Sequence, residues 1–351
     1  MASYKINYSD GKFRVVNVNK LPNKTNLQSL DRVYLGQPFV NVVSKFQDTR
    51  GLDTVYLGQP FYGHSDGYSI VYSSNHRDVN DWLYNIGLNG GSASTSTISA
   101  LNIFCNSIES AGLRNRFYRL NLFCGNNLAS CLVPLYRGPS PLSTQFGNTT
   151  DTNFNFLSAD YNETGASAGL QGNGTGTPTF AGTKYLDTGL QPATIGLYSG
   201  HLATFVHNVN TTTSQQHTWM GIRDNTNPGQ RWWMDYRTTG ILADYSGNTS
   251  SSLATQNGSG LYVVNRQTLN LLQFFYGSSQ LGSNITTDIT SSAVARSRNF
   301  FIFALNADGV AGTHSGFRQS MYSIGLGMTP SQIQSFNTIL QTFQTALNRN
   351  V

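Results

Sequence analysis

The sequence predicts a mainly β protein: an extended N-terminal arm, then an antiparallel sandwich of two sheets with one helix before it and another at its C-terminal end. Three observations carry this. Beyond Tyr118 most apolar runs are short, rich in β-formers and separated by Gly, Asn, Asp or Ser, the pattern of a sandwich. Helical spacing of apolar residues is confined to two stretches that flank those runs. Charged residues make up 11% of the 351, against about 25% in an average soluble chain, while aromatics reach 12%, too many for a disordered chain.

The arm comes first. Leu30 to Phe39 returns as Leu52 to Phe61 with nine of ten residues identical, a Leu-Asp-x-Val-Tyr-Leu-Gly-Gln-Pro-Phe segment duplicated at an offset of 22. Two copies are too few for a solenoid. Each carries β-formers followed by Gly and then Pro, which removes a ladder donor, so each reads as an extended arm or an edge strand. Such a segment has little core of its own and is ordered by lying on something else. Tyr34, Gln37, Pro38 and Phe39, with Tyr56, Gln59, Pro60 and Phe61, are therefore the candidate anchoring residues. The two copies either fill equivalent pockets on a partner or pair with one another. Asn75 to Asp78 reads as the boundary, giving an arm over 1–78 and a sandwich domain over 79–351.

A Gly/Ser/Thr linker, Gly90 to Ser96, leads into the first expected helix, in which Ile98, Leu101, Phe104 or Cys105, and Ile108 recur at helical spacing and which Gly112 ends. Strands are expected at Ile195 to Val206, Arg231 to Arg237, Leu261 to Val264, Leu271 to Tyr276, Phe300 to Leu305 and Ser320 to Ile324, with a turn at Asn306 to Gly309. Thr329-Pro330-Ser331-Gln332 has the cap threonine, first-turn proline and N3 glutamine of a capping box, and Ile333, Phe336, Leu340, Phe343 and Leu347 line one face of the helix that follows.

Composition removes several function classes. The net charge of +5 is spread thinly, without the basic runs that mark a nucleic-acid surface. The densest basic cluster, Arg114, Arg116 and Arg119, reads as a solvated face at a helix end. No apolar run approaches the roughly 20 residues of a membrane span, and the N-terminus lacks the apolar core of a secretory signal. Cys105, Cys124 and Cys131 form no CxxC pair and read as buried thiols. His201, His207, His217 and His314 have no zinc-ligand spacing, and Asp187, Asp224 and Asp308 stand in turns without an EF-hand pattern. No metal or cofactor is expected.

From Leu113 to Gly125 the sequence resembles the helix-to-strand segment of a laminin-G-like, concanavalin-A-like domain widespread in phage structural proteins. The resemblance continues through Cys131 to Pro139, Asp151 to Phe156, Gly169 to Gly174 and Lys184 to Leu190, and resumes with Phe301 to Asn306, Met321 to Gly325 and the closing helix. It covers roughly residues 97 to 351. It implies a jelly-roll sandwich of the kind found in virion and tail-associated proteins of tailed phages and in some bacterial surface proteins, and the reading taken from it is a tailed-bacteriophage particle protein, located in the virion and assembled in the host cytoplasm. Its partners are then other virion proteins of head, neck or tail, in a homo-oligomer, expected as a trimer, without nucleic-acid binding or membrane insertion.

Within such a fold, glycosidase, lectin and packing module remain the functional classes to separate. Glycoside hydrolysis needs two suitably spaced carboxyls; the only glutamates are Glu109, in a helix, and Glu163, in a loop, and the best spaced aspartates, Asp224 and Asp235, sit among turn and strand residues with an ordinary structural explanation, so an enzyme is not expected. Receptor-binding recognition of host surface polysaccharide is the alternative to a purely structural role, with a polysaccharide depolymerase third. It rests on Arg231 to Arg237, where Trp232, Met234 and Tyr236 fall on one strand face and Trp233 and Asp235 on the other. One face fills the core. The other is expected to offer a sugar-stacking platform or a subunit contact, with Asp235, Arg237 and Asn225 supplying polar specificity.

Overall fold

A computed structural model describes residues 3–7, 13–17, 32–34, 75–175, 181–196, 198–207, 216–223, 231–237, 240–245, 251–253, 258–286 and 297–349. The chain divides into two units, Met1–Asn80 and Asp81–Val351. In the first, strands β1 (Ser3–Asn7), β2 (Phe13–Asn17) and β3 (Arg32–Tyr34) form an antiparallel sheet in the order β2-β1-β3. Strand β3 is the start of the first repeat copy and pairs with β1, Tyr34 opposite Lys5, so that copy begins as an edge strand. Gln37, Pro38 and Phe39, and the whole second copy with Tyr56, Gln59, Pro60 and Phe61, lie outside the described residues.

Helix α1 (Arg77–Leu88) opens at the stretch read as a boundary and was not anticipated. Its signal is the i, i+4 pair Trp82 and Ile86, both buried, with the Trp82 indole N–H donating to the Val133 carbonyl at 3.0 Å. Helix α2 (Thr95–Ser110) starts where Ser94 Oγ accepts from the Thr97 N–H and ends before Gly112, whose φ of +65° suits a residue without a Cβ. Leu101, Phe104, Cys105 and Ile108 form its buried face.

The second unit continues with β4 (Phe117–Asn121), a one-turn helix α3 (Leu128–Cys131), β5 (Thr152–Phe154), β6 (Tyr161–Asn162), β7 (Gly169–Gln171), β8 (Tyr185–Asp187) and β9 (Gly200–His207). Next come β10 (His217–Arg223), β11 (Arg231–Arg237), β12 (Gly240–Tyr245), β13 (Ser251–Leu253), β14 (Gly260–Thr268), β15 (Leu271–Tyr276) and β16 (Ser279–Ile285). The chain closes with β17 (Phe301–Ile302), β18 (Leu305–Ala307), β19 (Val310–Gly312), β20 (Arg318–Gly325) and helix α4 (Pro330–Ala346).

These strands make two sheets, as expected of a jelly-roll sandwich. One runs β13-β12-β11-β10-β17-β8-β5, with β18 and β19 joined at β10; the other runs β16-β15-β14-β9-β20-β7-β6, with β4 beside β20. Trp219, Met220, Trp232, Met234 and Tyr236 from the first sheet and Leu202, Val206, Tyr262, Val264, Phe274, Tyr322 and Ile324 from the second belong to one buried cluster. Each such side chain contributes about 1.5–3 kcal/mol when fully buried. The capping box forms as read, Thr329 Oγ1 accepting from the Gln332 N–H and Gln332 Oε1 from the Thr329 N–H. Helix α4 then packs Phe336 on Phe117 and Phe343 on Phe104, joining α2 and α4 over the second sheet.

Three expectations change. Strand β9 begins at Gly200 rather than Ile195, because Pro192 starts a 3-10 turn that ends at Thr194. The run Phe300 to Leu305 breaks into β17 and β18, since Phe303 has a φ of +68°; its N–H donates to the Trp219 carbonyl and its carbonyl accepts from the Ser315 N–H. The arginines at 114, 116 and 119 do not make a solvated face: Arg114 and Arg119 are buried, and Arg116 donates to the Gly327 carbonyl. The two-residue Asp308-Gly309 turn, both residues at positive φ, joins β18 to β19 as the sequence indicated. Among the described residues no helix is long and apolar enough to cross a membrane.

Candidate functional site

Strand β11 places its side chains as alternation requires. Trp232, Met234 and Tyr236 enter the core, and Trp233 and Asp235 lie on the opposite face of the sheet. On the neighbouring β10, Gly221 stands across from Trp233, and a Cβ there would collide with Trp233 Cβ, so glycine is what lets the indole lie close over the strand pair. Neither tryptophan offers an open face: Trp232 is 4% exposed and Trp233 3%. The expected outward platform is therefore covered. The Arg231 and Arg237 guanidinium carbons lie 5.0 and 5.9 Å from the Trp233 ring centre, close enough for cation–π attraction.

Asp235 is fully buried beside them. One carboxylate oxygen accepts from Thr218 Oγ1 at 2.5 Å; the other accepts from Gln216 Nε2 at 2.6 Å and lies 3.4 Å from an Arg237 terminal nitrogen. Burial raises its pKa, and those donors, which favour the ionised form, hold the rise back. Two N–H groups in the cluster, Trp233 Nε1 and Arg237 Nε, are buried without an acceptor. The structure thus brings Trp233, Asp235 and Arg237 together on the non-core face, directs Trp232 to the core, and leaves Asn225 outside the described residues.

Elsewhere, ionisable groups are tied into the scaffold. Arg119 donates to Asp151 from Nε and a terminal nitrogen (3.1 and 2.6 Å) and to the Phe146 and Asn148 carbonyls, while the Tyr322 hydroxyl and Asn121 Nδ2 donate to the same carboxylate. Burial works against the Arg119 charge, and Tyr322 and Asp151 outweigh it. Glu163 Oε1 accepts from Thr97 Oγ1 and from the Gly125 N–H, which makes it a loop anchor. The three cysteines are buried, the Tyr136 hydroxyl donating to Cys105 Sγ at 3.4 Å, and burial is the main cause that pushes Cys124 up to about 12.

Two Ser–His pairs escaped the sequence reading. His201 Nδ1 lies 2.8 Å from the Leu326 carbonyl and so carries the proton, and Nε2 accepts from Ser323 Oγ at 2.8 Å. His207 Nε2 lies 2.8 Å from Ser320 Oγ, which also accepts from Gln344 Nε2 of α4. Both rings are fully buried, and no carboxylate bonds to either ring, so these pairs hold strand to strand. A cleft of about 650 Å³ between α2 and α4 is lined by Asn106, Ser107, Ser110, Gln334, Thr338 and Ile339, which include no titratable group.

No protein-family model and no curated protein matches the chain. Among solved structures it is similar to a Trypanosoma rangeli sialidase in complex with the inhibitor DANA, at 12% identity and a TM-score of 0.41. That alignment covers 62% of this chain and 32% of the sialidase, so the chain spans about a third of that protein's length. It is also similar to the CBM40 of a Ruminococcus gnavus IT-sialidase bound to alpha2,3 sialyllactose (11% identity, 47% of this chain, 94% of that chain, TM-score 0.33). The third is a botulinum neurotoxin serotype D binding domain, at 9% identity over 64% of this chain and 52% of that one, with a TM-score of 0.40.

Proposed function

We propose that the chain is a non-enzymatic structural protein of a tailed-phage particle, attached through its N-terminal arm to head, neck or tail proteins and projecting the sandwich as a fibre, spike or decoration module. The observation that carries this reading is the use of arginine as an internal staple. Arg114 donates to the Gly138 carbonyl, Arg116 to Gly327, Arg119 to Phe146 and Asn148, Arg318 to Gly169, and Arg349 to Leu122, Phe123 and Glu163. In a chain with so few charges, cations spent on main-chain carbonyls stiffen the body instead of forming a reactive centre. The sequence resemblance over 97–351 and the duplicated segment point the same way. Cyclic symmetry, with three copies, fits a projecting module.

The test is co-purification. The full chain should band with infectious particles in a density gradient, and a chain beginning near Asn75 should remain soluble and be absent from them. Finding the full chain only in the soluble fraction, or the shortened one on particles at normal abundance, overturns the assignment. A second reading, recognition of a host surface glycan by the sandwich, is favoured by one specific feature: the Trp233 cluster, where an aromatic ring and arginine donors share the non-core face of β11.

A further inference from the structure

We infer that the groove between α2 and α4 is where one copy of the chain meets the next, Ile103 of each copy entering the groove of its neighbour; this rests on the homo-oligomer of the reading above. The first ground is a knob beside a hole on one face. Ile103 of α2 is 52% exposed. Ser107 and Ser110 stand four and seven positions further on, along the same side of the helix, and form one wall of the groove of about 650 Å³. Gln334, Thr338 and Ile339 of α4 form the other wall. An apolar side chain set into a hole between small neighbours is how helices interlock.

The second ground is the chemistry of that face. A single exposed isoleucine is ordinary on a protein surface, but this one stands where charge is missing. Solvent-facing sides of surface helices normally carry charged residues. Helix α4 has none in its 17 residues, and the sequence has none from Gln319 to Asn348. Helix α2 has one, Glu109, which is not a groove residue. The outward threonines of α4 turn their hydroxyls to their own helix, Thr338 donating to the Gln334 carbonyl at 3.1 Å and Thr342 to the Thr338 carbonyl at 3.0 Å, which leaves their methyl groups to the surface.

These features choose the occupant. A charged partner would bury its ions against amides, hydroxyls and methyl groups, with no opposite charge in the groove lining to meet them. The surface that fits is itself uncharged and projects an apolar side chain, which is what the α2–α4 face of another copy offers. Each copy carries both halves of the contact, knob and groove, so the contact repeats from copy to copy and closes in a cyclic assembly. Asn106, Ser107, Ser110 and Gln334 supply uncharged donors and acceptors at its rim.

The experiment measures the mass of the full chain in solution by sedimentation equilibrium over a concentration series. Ile103→Glu, which removes the knob, and Thr338→Arg, which fills the groove, are run beside Val310→Glu, a control at an apolar residue 69% exposed in the β18–β19 turn region. All three positions face solvent within one copy, and each variant is first checked for an unchanged thermal transition. The native chain should associate, and each groove variant should weaken association about tenfold or more, while the control leaves it unchanged. Association that survives both groove variants overturns this face and leaves the homo-oligomer standing. A native chain that stays monomeric throughout the series overturns both. A control that dissociates the assembly as far as Ile103→Glu does also overturns the assignment, because any added negative charge would then suffice.

Discussion

At the scale of single residues, the buried Arg119–Asp151 pair shows how a sparsely charged chain uses its charges. Both side chains are fully removed from solvent, 2.6 Å apart, and each remaining polar atom is directed to a partner: Tyr322 and Asn121 on the carboxylate, the Phe146 and Asn148 carbonyls on the guanidinium. Taking two ions out of water costs several kcal/mol each, so the pair is tolerable only because the shell is complete. Arg119→Met should therefore cost about 3–5 kcal/mol, the range for leaving a buried charge unpaired. Combining it with Asp151→Asn should cost clearly less than the sum of the two single changes, because the double variant buries no unpaired charge. Urea denaturation of the four proteins in the cycle measures this. Additive costs would mean that the two side chains act independently.

At the scale of elements, β9 and β20 are joined by more than their ladder. His201 and His207 reach across to Ser323 and Ser320, and burial lowers both imidazole pKa values to about 4. Arg116 adds to the effect at His201, against the Leu326 carbonyl, and Arg349 and Arg318 add to it at His207. A histidine whose folded pKa lies below its unfolded value of about 6.5 stabilises the fold above that pH, and the stabilisation is lost as pH falls towards 4. Unfolding free energy should thus decline from pH 6.5 to 4 by up to about 1.4 kcal/mol per unit for each ring. A His201→Gln/His207→Gln protein should show a flatter profile over the same window, and an unchanged slope would place the acid sensitivity in other groups. Much at this scale was legible in the sequence. The alternation along Arg231 to Arg237 separated Trp232, Met234 and Tyr236 from Trp233 and Asp235 without saying which group fills the core, and the residues Thr329 to Gln332 located a helix start. The Ser–His pairs were not legible, because the partners lie 122 and 113 positions apart and only the strand register brings them together. That Trp233 is buried was hidden too, because strand periodicity assigns a side chain to a face of the sheet and does not say whether that face is covered.

At the scale of the second unit as a whole, the C-terminal end closes the structure. Arg349 is fully buried, and its three nitrogens donate to the Glu163, Leu122 and Phe123 carbonyls at 2.6, 2.9 and 2.8 Å, while its guanidinium lies 5.7 Å from the Phe343 ring centre. One side chain thereby connects the end of α4, the segment after β4 and the loop after β6. Phe123 itself sits at a φ of +42°, a conformation costly for a side chain of that size, so part of what Arg349 supplies is the hold on a strained turn. Arg349→Met keeps the packing volume and removes the donors, leaving three main-chain carbonyls without their partner. At about 1–3 kcal/mol for each unsatisfied buried group, the combined loss reaches a large share of the roughly 5–15 kcal/mol that holds a domain folded. Arg349→Lys should recover only part of it, because a compact ammonium lacks the planar fork that meets separate carbonyls. Chemical denaturation should rank the stabilities as native, then Lys, then Met, and hydrogen exchange should rise at Leu122, Phe123 and Glu163 before it rises in β9 or β20. A Met variant within about 1 kcal/mol of native stability would mean that the closing helix holds by its apolar face alone.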